Sequence, residues 1–283
     1  MAINAALLAS GSGWSVQDVR CTYGPRDRRF EEQHDGVSIA VVTSGSFTYR
    51  TTQGSAVLAP GAVLLGNEGQ CFECGHEHGV GDRCLAFHLR PEVVESVLSE
   101  LPGAPHLRFA VPSLPPIPEL IPIVAEADAA QRGRVDVSFE ELTLSVVAKV
   151  GTILTASSSP RYETQRPKSP TKRDQQRVTD ALRRIETESD RPLSLQDLAG
   201  DAAMSPYHFL RTFRSVVGMT PHQFLLHLRL QRAAARLRSS DEAIASIAAD
   251  AGFLDLSTFN HRFRRLIGAT PRAYRSGKAP LNR

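Results

Sequence analysis

Apolar residues nowhere run on for the roughly 20 positions that a membrane-crossing helix needs, which excludes a helical membrane protein. Basic residues are missing ahead of Arg20, so "MAINAALLASGSGW" lacks the positive flank of a secretory signal; the expectation is a cytoplasmic, nucleoid-associated protein. No Gly-rich loop ends in Lys-Ser or Lys-Thr, and no Ser sits in a nucleophile elbow, so two common routes to phosphate and acyl chemistry are closed. Cysteine is scarce: Cys21, Cys71, Cys74 and Cys84 are the only four, and a second Cys-x-x-Cys pair to complete a zinc ribbon is absent. In the cytosol such a set reads as thiols or metal ligands rather than structural disulfides.

What is present is unevenly distributed. The formal net charge is only +3, but from Lys172 onward 19 Lys and Arg face 11 Asp and Glu, against 14 and 19 in the rest of the chain. A basic module joined to a mildly acidic one points to a polyanionic partner for the C-terminal half. The stretch "SSSPRYETQRPKSPTKRDQQR" has no apolar periodicity and reads as an exposed linker. Before it, from about Trp14 to His88, runs such as "VSIAVVTSG", "SFTYRTTQG" and "SAVLAPGAVLLG" are broken by Gly and Pro in the rhythm of a β-sandwich or small barrel. Helical patterning then appears in "PEVVESVLSEL" and in the segment from Asp136 to Thr155. There Leu142, Val146, Val150 and Ile153 make one stripe, which packs either on the barrel or on its own copy in a homodimer. The expectation is an α+β multidomain chain: a β-rich sensor and dimerisation domain over 1–156, a linker over 157–176, and an all-α domain over 177–283.

The C-terminal part repeats itself. "FRSVVGMTP" and "FRRLIGATP" share Phe, Arg, Gly, Thr and Pro in the same order. Leu195, Leu198, Ala199 and Ala202 form a short apolar helix face, and Ile244, Ile247, Ala248 and Ala251 form it again. Each face precedes a turn and a second helix, from Ser205 to about Val217 and from Ser257 to about Ile267. Ser205–Pro206, Thr220–Pro221 and Thr270–Pro271 are N-caps followed by Pro at the first helical position, and Gly218 and Gly268 mark helix stops. The pattern is a helix-turn-helix written twice, joined by one helix in "PHQFLLHLRLQRAAARLRSS". Two such units on one rod match two successive major grooves on one face of DNA, about 34 Å apart.

In each second helix a Phe pair, Phe209 with Phe213 and Phe259 with Phe263, belongs inside. This leaves Tyr207, Leu210, Arg211 and Arg214, then Leu256, Ser257, Asn260, His261, Arg264 and Arg265, on open faces. Arg pairs with guanine and Asn with adenine through two hydrogen bonds each, whereas Arg214, Arg264 and Arg265 are placed for phosphates. On these residues, and on the ending "STFNHRFRRLIGATPRAYR", the region from about Leu193 to Arg275 resembles the DNA-binding part of the AraC/XylS family of bacterial transcription regulators. The resemblance implies promoter DNA as partner, RNA polymerase as a second partner if the protein activates, and base reading by Tyr207, Leu210, Arg211, Leu256, Ser257, Asn260 and His261. His261 departs from the family's basic residue, and a neutral imidazole cannot make the bidentate guanine contact of a guanidinium.

The β-rich half resembles the cupin-like sensor domains placed ahead of many such regulators, on "HDGVSIAVVTSG" and "GSAVLAPGAVLLGNEGQCFECGHEHG", which implies a small-molecule effector. Within "CFECGHEHGVGDRCLAFH" three readings stand. Cys74, His76, His78 and Cys84 supply a zinc site. Alternatively Cys71, Cys74 and Cys84, with Cys21 as a partner, are reactive thiols whose pKa is lowered by Arg83 or the histidines. In the third reading the cysteines are buried apolar fillers. Two other function classes remain: a cupin-type metalloenzyme with a nucleic-acid-binding appendage, for which His34 is the one ligand from the early strands, and an adaptor whose helical units bind protein.

Overall fold

The computed structural model describes residues 3–76, 80–101, 108–132, 138–157 and 170–277. Among the described residues ten strands form two antiparallel sheets. The larger runs in the order β1 (Ile3–Gly11), β2 (Trp14–Cys21), β9 (Asp82–Leu89), β4 (Val37–Gly45), β7 (Val63–Gly66) and β10 (Ser113–Leu114); the smaller runs β3 (Phe30–Gln33), β8 (Cys71–Gly75), β5 (Phe47–Thr51) and β6 (Gly54–Leu58). Alternation along the strands sorts the side chains. Val37, Ile39 and Val41 of β4, with Leu85, Phe87 and Leu89 of β9, meet helices on the outer face of the large sheet. Ala40, Val42, Cys84 and Ala86 point instead at Tyr49, Phe47 and Cys74 of the small sheet. The result is the cupin-like barrel that the sequence leads one to expect. β1 is a strand the sequence did not announce: it lies at an open edge with most residues exposed, so it carries no alternation to read.

Three helices cover the large sheet: α1 (Pro91–Leu98), α2 (Ile121–Gln131) and α3 (Phe139–Ser157). The α3 stripe is used within the chain, because Leu142, Val146, Val150 and Ile153 are all buried in the barrel-side core. It is therefore no seam for a second copy.

The boundary with the helical half also moves. Helix α4 (Lys172–Thr187) begins inside the segment read as linker. Thr171 caps the Asp174 amide while Asp174 bonds back to the Thr171 backbone, a reciprocal pair of caps that starts a helix sharply.

Beyond α4 come α5 (Leu195–Asp201), α6 (Pro206–Val217), α7 (Pro221–Ser239), α8 (Ile244–Asp250), α9 (Leu256–Ile267) and α10 (Pro271–Arg275). α9 starts one residue before Ser257, because the Asp255 side chain accepts from the Thr258 amide. The duplication extends to core geometry. Phe209 and Phe213 sit with ring centroids 5.8 Å apart, and Phe213 meets Phe224 edge-on at 6.1 Å. Fifty residues on, Phe259 and Phe263 are 5.4 Å apart, and Phe263 meets Tyr274 edge-on at 5.5 Å. Gly218 and Gly268 end their helices at φ of 86° and 85°, the left-handed stop that lacks a Cβ penalty.

The two halves pack together. α2 buries apolar residues on two sides: Ile123, Val124, Ala127 and Ala130 join the barrel-side core, while Ile121 and Ala125 join the core around α7 and α9. The Gly45 amide at the end of β4 donates to Glu186 Oε1 of α4 at 3.1 Å, and His227 Nδ1 of α7 donates to the Pro116 carbonyl at 3.1 Å.

Two expected outcomes follow from local chemistry. Gly252 in the second turn has φ of 82°, whereas its counterpart Ala203 holds φ of 49° with a Cβ. Ala203→Gly should raise stability by about 0.5–1 kcal/mol in chemical denaturation, and Gly252→Ala should lower it by more than about 1 kcal/mol. The latter Cβ would fall 2.8 Å from the Asp190 carbonyl oxygen. Equal effects at the two sites would contradict the assignment. Inside the barrel, His34 is hydrogen-bonded to the Tyr49 hydroxyl at 2.8 Å and stacked on Phe72 at 4.2 Å. Burial, helped by His88 and opposed by Asp35, brings its pKa down from 6.5 to about 4. Between those values the unfolded chain takes up a proton that the folded chain refuses, so stability falls as pH drops through the window. Denaturation at stepped pH should show a loss of about 1–3 kcal/mol that His34→Gln reduces; an unchanged slope in the variant would contradict it.

Candidate functional site

The open faces of α6 and α9 are built by their caps. Ser205 accepts from the His208 amide and Asp255 from the Thr258 amide, so each cap satisfies one of the free amides in the first turn of its helix. The Phe pairs then fix rotation. With Phe209, Phe213, Phe259 and Phe263 fully buried, Tyr207, Arg211 and Arg214 are exposed on α6, and Leu256, Ser257, Asn260, His261, Arg264 and Arg265 are exposed on α9. Leu210 is half-buried. Tyr207 shows 74% of its surface and Leu256 42%, which leaves both open to apolar contact with thymine methyls.

The structure sorts the arginines into two kinds. Those of α7 are engaged, and Arg229, Arg232 and Arg236 line a cavity of about 450 Å³ together with residues of α2 and α8. Arg229 Nε donates to the Ser189 carbonyl at 2.6 Å and its Nη1 to the Gly252 carbonyl at 2.9 Å; Arg236 pairs with Glu242 and, at 2.8 Å, with Asp250; Arg238 pairs with Glu126 at 3.3 Å. By contrast the side chains of Arg211, Arg214, Arg264 and Arg265 form no hydrogen bond or ion pair among the described residues. Four unpaired guanidiniums on two duplicated faces are available to phosphates and guanine edges.

Leu254 was not singled out from sequence, although it is 100% exposed in the second turn. The signal was there: α5 and α8 start 49 residues apart but α6 and α9 start 50 apart, so this turn has one residue more than its partner.

The thiol region is rearranged relative to expectation. Cys74 and Cys84 lie inside the barrel, Cys71 is exposed at the start of β8, and His78 lies outside the described residues. His76 is brought not to Cys74 but to Cys21 and Asp82. Its Nδ1 is 3.8 Å from Cys21 Sγ, and its Nε2 donates to Asp82 Oδ1 at 2.5 Å. Burial works against the charged ring, but hydrogen bonds to Asp82 and Cys21 outweigh it and move the His76 pKa up to about 9. Cys84 Sγ donates to Asp82 Oδ2 at 3.3 Å. Burial, then the Asp82 charge, holds the Cys74 and Cys84 thiols well above their ordinary range, so neither is the activated thiolate of the thiol-switch reading. Arg83 cannot lower them. It faces the opposite side of the sheet, where it bonds both oxygens of Asp18 at 2.8 Å. Asp82 escaped notice because a carboxylate beside Arg83 reads as a surface ion pair; strand alternation from Cys84 back to residue 82 was the available clue.

Comparison with known proteins places this geometry. A family model for a helix-turn-helix domain matches residues 198–277, and one for an AraC-like ligand binding domain matches residues 19–140. Regulatory protein SoxS of Escherichia coli K12 is 33% identical over 98 residues, which is 35% of this chain and 92% of that protein. The MmsAB operon regulatory protein of Pseudomonas aeruginosa is 35% identical over 83 residues, 29% of this chain, and the match spans only 27% of that regulator. Among solved structures, a transcriptional regulator from Chromobacterium violaceum with an AraC-type DNA-binding domain is 30% identical, with 38% of this chain and 96% of that one covered and a TM-score of 0.35. The chain belongs to the AraC/XylS family of DNA-binding transcription regulators, with a cupin-like domain ahead of its pair of helix-turn-helix units.

Proposed function

We propose that the protein is an effector-responsive regulator that reads two successive major-groove segments of promoter DNA, one with α6 and one with α9. The observation that carries this reading is the pair of matched, exposed helix faces bearing free arginines at either end of the 19-residue α7. At 1.5 Å per residue that helix spans roughly 28 Å, close to one turn of the duplex. Arg211 is the guanine reader of the first unit and Asn260 the adenine reader of the second. Arg214 and Arg264, at equivalent positions, take phosphates. His261 stands where Arg211 stands in the first copy, so the second unit discriminates fewer bases. Tyr207, Leu210, Leu256 and Ser257 complete the base-facing surface by apolar and hydroxyl contacts.

Signals enter through the barrel and reach DNA through α2 and the Gly45–Glu186 contact, which join the two halves. RNA polymerase is the second partner if the protein activates. The metalloenzyme alternative is less well supported, because His34 is turned to Tyr49 and Phe72 and does not face an open coordination position.

Selection of bound sequences from a random library, repeated for two variants, separates the roles. Arg211→Ala should relax preference at one position of the first half-site, by about 1–3 kcal/mol. Arg264→Ala should weaken all sequences alike and reduce the slope of log affinity against log salt by about 1. Uniform weakening by Arg211→Ala would reduce that residue to a phosphate contact.

A further inference from the structure

The inner face of the barrel brings three kinds of metal-binding donor to one end. Cys21 closes β2, His76 follows β8, and Asp82 opens β9 opposite Cys21 in the strand register. One donor atom from each of the three lies within 4.8 Å of the others. Cys84, two residues along β9 on the same face, hydrogen-bonds Asp82 at 3.3 Å. Cys21 and His76 are buried, and the rings of Phe47 and Tyr23 lie 6.0 and 6.5 Å from the imidazole, so the cluster is walled off from bulk water.

A tetrahedral zinc-type centre has metal–sulfur bonds of about 2.3 Å and metal–nitrogen or –oxygen bonds of about 2.0 Å, hence donor separations of roughly 3.3–3.8 Å. The 3.8 Å between Cys21 Sγ and His76 Nδ1 already matches. One imidazole nitrogen serves one ion, so binding through Nδ1 requires the Asp82 carboxylate to leave Nε2, 2.5 Å away, and turn in beside Cys21. Two sulfurs, one imidazole and one carboxylate suit a borderline-soft cation and not magnesium or calcium, which take oxygen ligands.

We propose that Cys21, His76, Asp82 and Cys84 hold one zinc-class divalent ion, with Cys84 turning in as the fourth ligand. Cys21 and Cys84 bind as thiolates and His76 as the neutral ring, so metal uptake releases protons to solvent. A closed set of four protein ligands leaves no position for substrate, which makes the ion structural or regulatory. Asp82 pairs in register with Gly45, whose amide donates to Glu186 of the DNA-binding half. Occupancy of the site therefore bears on DNA affinity, a consequence that rests on the regulatory reading above.

The test uses the full chain purified without chelator or oxidant. Elemental analysis should find about one zinc per chain, and cobalt(II) added to stripped protein should give thiolate charge-transfer and tetrahedral absorption bands. Cys21→Ser and Asp82→Asn should weaken zinc affinity at least about tenfold in competition with a chromophoric chelator, while Cys71→Ser should leave it unchanged. Because a ligand variant can also fold poorly, thermal unfolding of the stripped wild-type protein is followed as zinc is added, and a rise in Tm is expected. Wild-type protein that takes up no zinc or cobalt, or an octahedral cobalt spectrum, would overturn the site; so would loss of metal from Cys71→Ser. Zinc-loaded and stripped protein should differ at least about fivefold in affinity for operator DNA. Equal affinities would remove the regulatory consequence and leave the site standing, whereas loss of DNA binding in both forms would count against the regulator reading alone.

Discussion

Everything in the DNA-binding half depends on α7 serving as a wall for two cores at once. Phe224, Leu225 and Leu228 close the core of the first unit, and Leu230, Ala233, Ala234 and Leu237 close that of the second. A buried aromatic such as Phe224 contributes several kcal/mol, about 3–5 when truncated to Ala, so neither unit can detach from the helix cheaply. Because one continuous helix is shared, the distance and rotation between α6 and α9 are set by packing and not by a flexible linker. The arginines of α7 reinforce this by binding carbonyls and carboxylates of neighbouring segments, which removes them from the surface available to DNA.

A second constraint couples this half to the barrel. α2 carries apolar residues on two sides and is covered on both, while its Glu126 and Asp128 pair with Arg238 and Arg132. The barrel-side core takes Ile123, Val124, Ala127 and Ala130, and the α7 core takes Ile121 and Ala125. Its C-terminal end is pinned by Gln131, which accepts from Thr43 at 2.7 Å and donates to Asp18 at 3.0 Å, beside the Arg83–Asp18 pair. Any change in the packing of the large sheet is thus felt by a helix that also forms part of the DNA-binding core. The Gly45–Glu186 hydrogen bond adds a polar contact two residues further on, at the same end of β4.

From α5 to α9 the helical half was legible in sequence to within a residue or two, because each signal is local; the start of α4 was not. The caps at Ser205, Thr220 and Thr270, the stops at Gly218 and Gly268 and the Phe pairs act within a turn of helix, and a duplicated sentence repeats them independently. What escaped was set by tertiary contact. α2 has no hydrophobic periodicity because both its faces are buried, and β1 has none because neither face is. The stripe from Leu142 to Ile153 was visible, but periodicity cannot say whether a barrel or a second copy covers it. The Cys and His residues were visible too; which of them meet was decided by the β2–β9 register, which sets Cys21 opposite Asp82 across more than fifty residues of chain.

The most direct test of the account is hydroxyl-radical footprinting of the full chain on a selected operator. Two protected segments on one face of the duplex, about 10 base pairs apart from centre to centre, are the predicted result. A single protected segment, or two on opposite faces of the helix, would contradict a rigid α7 presenting α6 and α9 to successive grooves.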